Sequence, residues 1–427
     1  MIKKILDEKI FNLLFFLSLL LPVFLVIGPF LPDLIIGLNS LYFIYFIFSK
    51  KIQINLSNIY IRLFIFWLVV ILLSSTLSSY PFHSYESSLL YIRFFLSACM
   101  ISIFIIKNKK FINYSFYILL ILLIILSSDA IFQYIFEYNI IGIPKYDDLR
   151  VSSFFAEELK LGSYLVRLFP YLIAIYLFIN KDKEIKPNLK IIFIFILISM
   201  SIFLAGERAA IAYLIIILFV TFLSFNHKKI MLFSSAVFLG LYLFISLLDS
   251  SSIQRNFLYT YNQIKASDDK IMIFSTQHET LYKSAFEMFK HNIFFGVGPK
   301  NFRKLCSEDK YNFKTDFDKS FKGCQTHPHN FYLQLLAETG ILSFIIFSIY
   351  YFKSLISLFK LVYNSVLKKI NNDNLILLYL YLGFFINFFP LVPTGNLFNN
   401  WLSAVMFLPL GLYIYLFNKS VFLNNVR

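Results

Sequence analysis

Two histidines stand two residues apart in Thr326-His327-Pro328-His329-Asn330, immediately before the apolar run that opens Phe331-Tyr332-Leu333. A neutral imidazole can take the proton of a hydroxyl, or orient that hydroxyl, near pH 7. The same residues could instead do no more than satisfy backbone groups at a helix start, and the pattern leaves both uses open. A metal centre is a third use. Cys324, His327 and His329 match no standard zinc spacing, and the two rings are expected to point to opposite sides of an extended segment, so no metal is expected.

Gly206-Glu207-Arg208 lies between two apolar runs with no polar loop to shelter it. A guanidinium at a membrane edge is costly unless it is paired or meets an anion. Neighbours such as Glu207 and Arg208 do not face each other on a helix, although a pair fixing the turn remains the alternative. A forked donor there suits a phosphate or pyrophosphate carried on a lipid.

A third polar stretch runs from Tyr146 to Tyr164. Asp147 and Asp148 could suggest a metal-binding pair, but nothing nearby completes one and a solvated loop fits them better. Arg150 and Glu157 are the candidates there for lining a site. Asp129 is a carboxylate inside an apolar run, with no partner visible in the sequence.

The remaining candidates lie in the long polar segment 249–329. Apolar residues at 281, 282, 285, 286, 288 and 289 predict an amphipathic helix over 278–292, lying on a bilayer or capping a bundle. Gly296-Val297-Gly298-Pro299 predicts a tight turn whose N–H groups could face an anion, though without the spacing of a nucleotide-binding loop. Lys300 and Arg303 follow it. Cys306 and Cys324 would close a loop worth roughly 3 kcal/mol in an oxidising compartment, or else remain two free thiols. Cys99 falls in an apolar run and needs only to be packed.

The elements that must position these residues are membrane helices. The chain has 427 residues, 59% hydrophobic and 15% charged, with a mean hydropathy of +0.72. That balance predicts an all-α polytopic membrane protein. Its net charge of +15 resides in short loops and forms no stripe or groove element, so nucleic acid is not an expected partner. About twelve apolar segments suffice for a ~30 Å core, near 10–30, 33–49, 59–78, 87–106, 113–136, 163–180, 191–205, 208–225, 230–248, 330–357, 374–392 and 399–417. The first of them lacks a small-residue cleavage site and reads as a membrane helix.

Lys and Arg set the orientation. Lys50-Lys51, Lys107, Lys109-Lys110, Lys181, Lys183, Lys186, Lys228-Lys229, Lys368-Lys369, Lys419 and Arg427 all fall in alternate loops, which places both termini inside. The chain then divides into helices over 1–248, a large outside loop over 249–329 and helices over 330–427. Outside charge gathers in 137–162, at 206–208 and in the large loop, which together form the candidate site.

On this topology, His329-Asn330 followed nine residues later by Gly340 resembles the His-Asn/Ser/Gln-x9-Gly signature of the O-antigen ligase superfamily. The Gly296-Val297-Gly298-Pro299-x-x-Phe302 turn, the Gly206-Glu207-Arg208-x-Ala210 turn and the stretch from Arg150 to Gly162-Ser163-Tyr164 look like further family features. The resemblance implies a GT-C-like membrane glycosyltransferase that needs no metal or other cofactor. It would move a glycan from undecaprenyl pyrophosphate to lipid A-core at the periplasmic face of a bacterial inner membrane. An O-antigen polymerase or a protein O-oligosaccharyltransferase would share that donor, and a non-enzymatic flippase of the same lipid is a more distant alternative.

The resemblance carries Arg208 over as a pyrophosphate contact and His329 as the residue that activates the acceptor. Arg150, Glu207, His278, Lys300, Arg303, His327 and Asn330 are the associated substrate-binding candidates. The family's second arginine, four residues before an aromatic, is here His278 before Tyr282. Either His278 as an imidazolium, or Arg303 or Lys300, is then expected to supply that charge.

Overall fold

The computed structural model describes residues 2–182, 189–225, 228–248, 250–265, 274–313 and 323–423. Among them the regular structure is helical. The first part comprises α1 (Ile2–Leu19), α2 (Leu21–Ile27), α3 (Phe30–Phe48), α4 (Ile59–Leu77), α5 (Pro81–Ser88), α6 (Ile92–Lys107) and α7 (Lys110–Phe136). Then come α8 (Leu161–Ile179), α9 (Leu189–Leu204), α10 (Arg208–Ser224) and α11 (Lys228–Leu248). The large loop holds α12 (Ser251–Ile253), a π turn over Gln254–Leu258, α13 (Tyr259–Lys265), α14 (Thr276–His291) and α15 (Phe302–Leu305). The chain closes with α16 (Phe331–Val366), α17 (Asn372–Asn387), α18 (Asn400–Phe407), α19 (Leu410–Leu416) and α20 (Asn418–Val421).

Six of these helices are long and apolar enough to cross a membrane, or up to eight if each of two bent pairs counts as one span. The first expected span is one of those pairs: α1 and α2 meet at 57°, next to Pro22, which cannot continue the hydrogen-bond ladder. Leu189–Leu204, Arg208–Ser224 and Asn400–Leu416 are shorter apolar helices. The two on either side of Gly206 have 16 and 17 residues, just under the ~20 that a full crossing takes.

The bundle is built round α8, where Ser163 alone among residues 161–175 escapes burial. Large apolar side chains such as Phe16, Leu41, Ile121 and Phe219 cover the outside instead. That is the pattern of helices that meet lipid rather than water. Buried polar groups are matched internally, as where Asn39 donates to Ser18 and Ser97 across three helices.

Hydrogen bonds define two ends. At one, Asn55 N donates to Val421 O, Asn372 to Lys181 O, and Ser365 to Ser224 O. At the other, Asn400 meets Asp33, Asn301 meets Ser84, and Thr394 N donates to His329 O. All three polar stretches singled out in the sequence gather at this second end.

The large loop is seated on the bundle. Ser275 caps α14 by accepting from His278 N, and Leu281, Ala285 and Met288 are buried along one face of that helix. They form a small core with Val297, Phe302, Leu305, Cys306 and Tyr311 that also takes in Ala337 of α16. The helix therefore caps the bundle. Cys306 and Cys324 are disulfide-bonded with Cα atoms 4.9 Å apart, while Cys99 is buried and free.

The helix α16 would be about 54 Å long if straight, and it is interrupted at Gly340, with φ 75° and ψ −175°. The interruption receives the loop. Val297 N donates to Ala337 O, Gly298 N to Glu338 O, and Ile341 N to Ile293 O. Of the 296–299 turn's N–H groups, which were expected to face an anion, those of Val297 and Gly298 are thus spent on helix carbonyls exposed by the break, and that of Gly296 donates to Asn292 O.

Candidate active site

The site lies where the Gly206 turn, the start of α14 and the 323–330 segment meet. Gly206 has φ +64°, and a Cβ there would come within 2.9 Å of Arg150 Cγ and 3.2 Å of Arg255 Cγ. Only glycine allows both arginine stems to close on this turn. Arg150 donates through Nε to Ala205 O at 3.2 Å and through a terminal nitrogen to Leu159 O at 2.9 Å. Arg255 donates through Nε to Gly206 O at 3.4 Å, and its charge bears on both Arg150 and Arg208. Three guanidinium groups therefore surround one turn.

Arg255 was not among the residues expected from the sequence, because its segment shows no motif. Burial lowers the Arg150 pKa; Glu207 works against that and Arg255 with it.

Glu207 does not pair with its sequence neighbour. Its Oε2 accepts from Ser163 N at 3.1 Å. Burial pushes its carboxyl up to about 7, with Arg150, the Ser163 and Gly162 N–H groups and Arg167 acting the other way. Arg167, also missed, was hidden inside an apolar run. It is buried, donates to Ser163 Oγ and Asn387 Oδ1, and lies over the Tyr213 ring. Its link to Ser163 connects α8 to the turn that presents Arg208.

Three histidines make up the facing part of the site. The His327 and His329 ring centroids are 4.0 Å apart, and those of His329 and His278 are 5.6 Å apart. The expected divergence of the first two rings is wrong. Residues two apart on an extended chain share a face, and here His329 also turns into the left-handed region at φ 56°. His327 Nε2 faces Thr394 O at 3.3 Å and its Nδ1 faces Thr326 Oγ1 at 2.9 Å. His329 Nε2 faces Gln325 Oε1 at 3.0 Å. His278 Nδ1 lies 2.6 Å from Ser275 Oγ.

Burial pushes His278 down to about 4, helped by His329 and Arg208. Burial and His329 push His327 down to about 3, with Arg303 and His278 adding to the effect. His329 is lowered too, chiefly by burial, against the hydrogen bonding at Thr394. All three are neutral at pH 7. Burial and Arg208 thus work against the imidazolium that the place of His278 before Tyr282 suggested; among the described residues Arg255 also puts a guanidinium beside Arg208.

The charge of Arg303 bears on His327 and on Lys300. Burial lowers the Lys300 ammonium; Arg303 adds to this, and Glu338 and Glu86 oppose it. Arg303 is exposed. Asn330 is occupied as a helix cap, accepting from Tyr332 N and Leu333 N and donating to Pro390 O at 2.8 Å.

Glu157 is exposed, and Asp147 closes a turn by accepting from Leu149 N. Asp129 has partners: Ser153 Oγ at 2.5 Å and Ile140 N at 2.9 Å. Among the described residues, no three His, Cys, Asp or Glu side chains are grouped to hold a metal ion.

The arrangement offers concentrated positive charge at one side and neutral bases beside it. Residues 193–348, which contain the Gly206 turn, the large loop, the histidines and Gly340, match the family model described as O-Antigen ligase. A search of curated proteins finds no match to the chain. Over that stretch, a little over a third of the chain, the protein is similar to the O-antigen ligase family.

Proposed function

We propose that this protein is an O-antigen ligase. In this reading it transfers a polysaccharide from undecaprenyl pyrophosphate to lipid A-core at the periplasmic face of the inner membrane, with about twelve spans and both termini cytoplasmic. One observation carries the reading: a cluster of guanidinium groups round Gly206 reaches, through Arg208 and His278, three histidines held in the neutral form.

The chemistry follows from that juxtaposition. The acceptor hydroxyl attacks the anomeric carbon of the donor sugar as the bond from that carbon to the phosphate oxygen breaks. The electron pair leaves with the lipid pyrophosphate, and Arg208, with Arg150 and Arg255 beside it, stabilises the growing negative charge. His329 accepts the hydroxyl proton, or holds the hydroxyl in line for attack. Three guanidinium groups gathered at one turn suit this site better to a pyrophosphate than to a neutral glycan.

A lipopolysaccharide gel of a strain lacking the protein, beside an assay of undecaprenyl-linked glycan, tests the reading. A bare core with accumulated polymerised lipid-linked glycan is the expected result. A core bearing a single repeat unit would identify a polymerase instead, and an unchanged ladder would exclude both acceptors.

A further inference from the structure

The side chain of His329 has two nitrogens, and the protein treats them differently. Its Nε2 lies 3.0 Å from Oε1 of Gln325. An amide oxygen can only accept, so the ring nitrogen facing it carries the hydrogen and Nδ1 keeps the lone pair. Gln325 is itself anchored, because it follows Cys324, which is bonded to Cys306. The His329 backbone is anchored separately, its carbonyl accepting from Thr394 N at 2.8 Å. Ring and backbone are thus held from two independent segments.

We propose that Gln325 is a positioning residue: by accepting the Nε2–H of His329 it fixes the tautomer that presents Nδ1 as the basic nitrogen to the acceptor hydroxyl. The inference rests on the proposed function for its catalytic meaning, but its structural content does not. The groups round the His329 ring are the Thr394 backbone, which also hydrogen-bonds to it and competes with Gln325 for the ring N–H, His327 at 4.0 Å and His278 on α14 at 5.6 Å, with Arg303 bearing on the first histidine and Arg208 on the second. None of these is a carboxylate, so a carboxylate placed at 325 would be a new influence on the ring.

The test uses the full chain in lipid nanodiscs with 15N-labelled histidine, the His329 signals being assigned by their loss in His329→Asn. In the wild type His329 is expected as the Nε2–H tautomer, and in Gln325→Leu as a mixture of both. Transfer by Gln325→Leu should fall about tenfold or more in kcat, the scale of an impaired general base, with little change in acceptor KM. Gln325→Glu should keep the tautomer and move the acid limb of kcat up by about one pH unit, because a carboxylate favours the imidazolium. An Nδ1–H tautomer in the wild type, or the same tautomer in wild type and Gln325→Leu, overturns the proposal. If the tautomer follows residue 325 but the wild type transfers nothing from a lipid-pyrophosphate donor, the positioning stands and the proposed function falls.

Discussion

Gly340→Ala should be among the most damaging single substitutions in this protein, although it adds only one methyl group. At φ 75° and ψ −175° the backbone occupies a region that is essentially glycine's alone, worth about 1–3 kcal/mol of strain to any other residue. The added Cβ would lie 2.1 Å from Phe294 O, 2.3 Å from Phe294 C and 2.6 Å from Phe295 N. All three are backbone atoms, so no rotamer change relieves the overlap. Relief requires moving the 293–298 strip off the helix, which breaks the bonds from Val297, Gly298 and Ile341.

With overpacking at about 1–3 kcal/mol and three lost bonds near 1 kcal/mol each, the loss is about 4–6 kcal/mol before the backbone strain is added. Gly37 is the control, since a Cβ there meets nothing within 4 Å. Thermal unfolding in detergent, followed by size exclusion, should show Gly340→Ala lowered by about 5–15 °C, with glycan transfer lost. Gly37→Ala should match the wild type or exceed it. A Gly340→Ala protein melting with the wild type and transferring normally would refute the reasoning about the helix break.

His329→Ala and Arg208→Ala should each abolish transfer while leaving the protein inserted and abundant by immunoblot; normal transfer by either rules out its role. Arg255→Gln should raise the donor KM about tenfold, the cost of one charged contact, and leave the acceptor KM within twofold in a reconstituted assay. The histidines give a pH prediction of definite sign. Their folded pKa values lie below the unfolded 6.5, at about 4 for His278 and about 3 for His327. The folded chain thus binds fewer protons than the unfolded one under acid conditions. Stability is full above pH 6.5 and is lost as pH falls below it, by up to about 1.4 kcal/mol per unit for each histidine. Transfer should persist below pH 6, and an acid limb centred on 6.5 in the rate profile would contradict the burial argument. Reducing the Cys306–Cys324 bond should slow transfer while α14 stays helical by circular dichroism.

Apolar runs announce helices well, so the helical class was legible in the sequence, although six to eight rather than twelve segments of the described residues are long and apolar enough to cross a membrane. The three polar stretches that gather at one end of the bundle were legible too. What was hidden depends on contacts distant in sequence. The break at Gly340 exists because loop backbone from 293–298 docks there, and no periodicity in α16 foretells it. Arg255 lies in an unremarkable part of the loop and acquires meaning only when the Gly206 turn arrives beside it. Arg167 was masked by the apolar run that surrounds it. The histidine cluster needed the left-handed turn at His329 and the seating of α14, neither of which the spacing of two imidazoles contains. The glycine turn at 296–298 shows the converse, a recognisable motif whose donors turn out to serve the fold.

The stretch from Phe388 to Asn399 carries no charge, and its composition would recommend it as a harmless place for a tag. Its contacts say otherwise. Pro390 O accepts from Asn330, Thr394 both donates to the His329 carbonyl and faces His327, and Asn396 accepts from Gln334. This segment is a splint for the histidines, supplied by a part of the chain some sixty residues away and outside the stretch that matches the family model. An epitope inserted at Pro393 should therefore silence the protein, whereas one at the exposed hairpin tip of Ile140 and Ile141 should pass unnoticed. Topology mapping by insertion would then report the two loops unequally, through loss of function at one and a clean readout at the other.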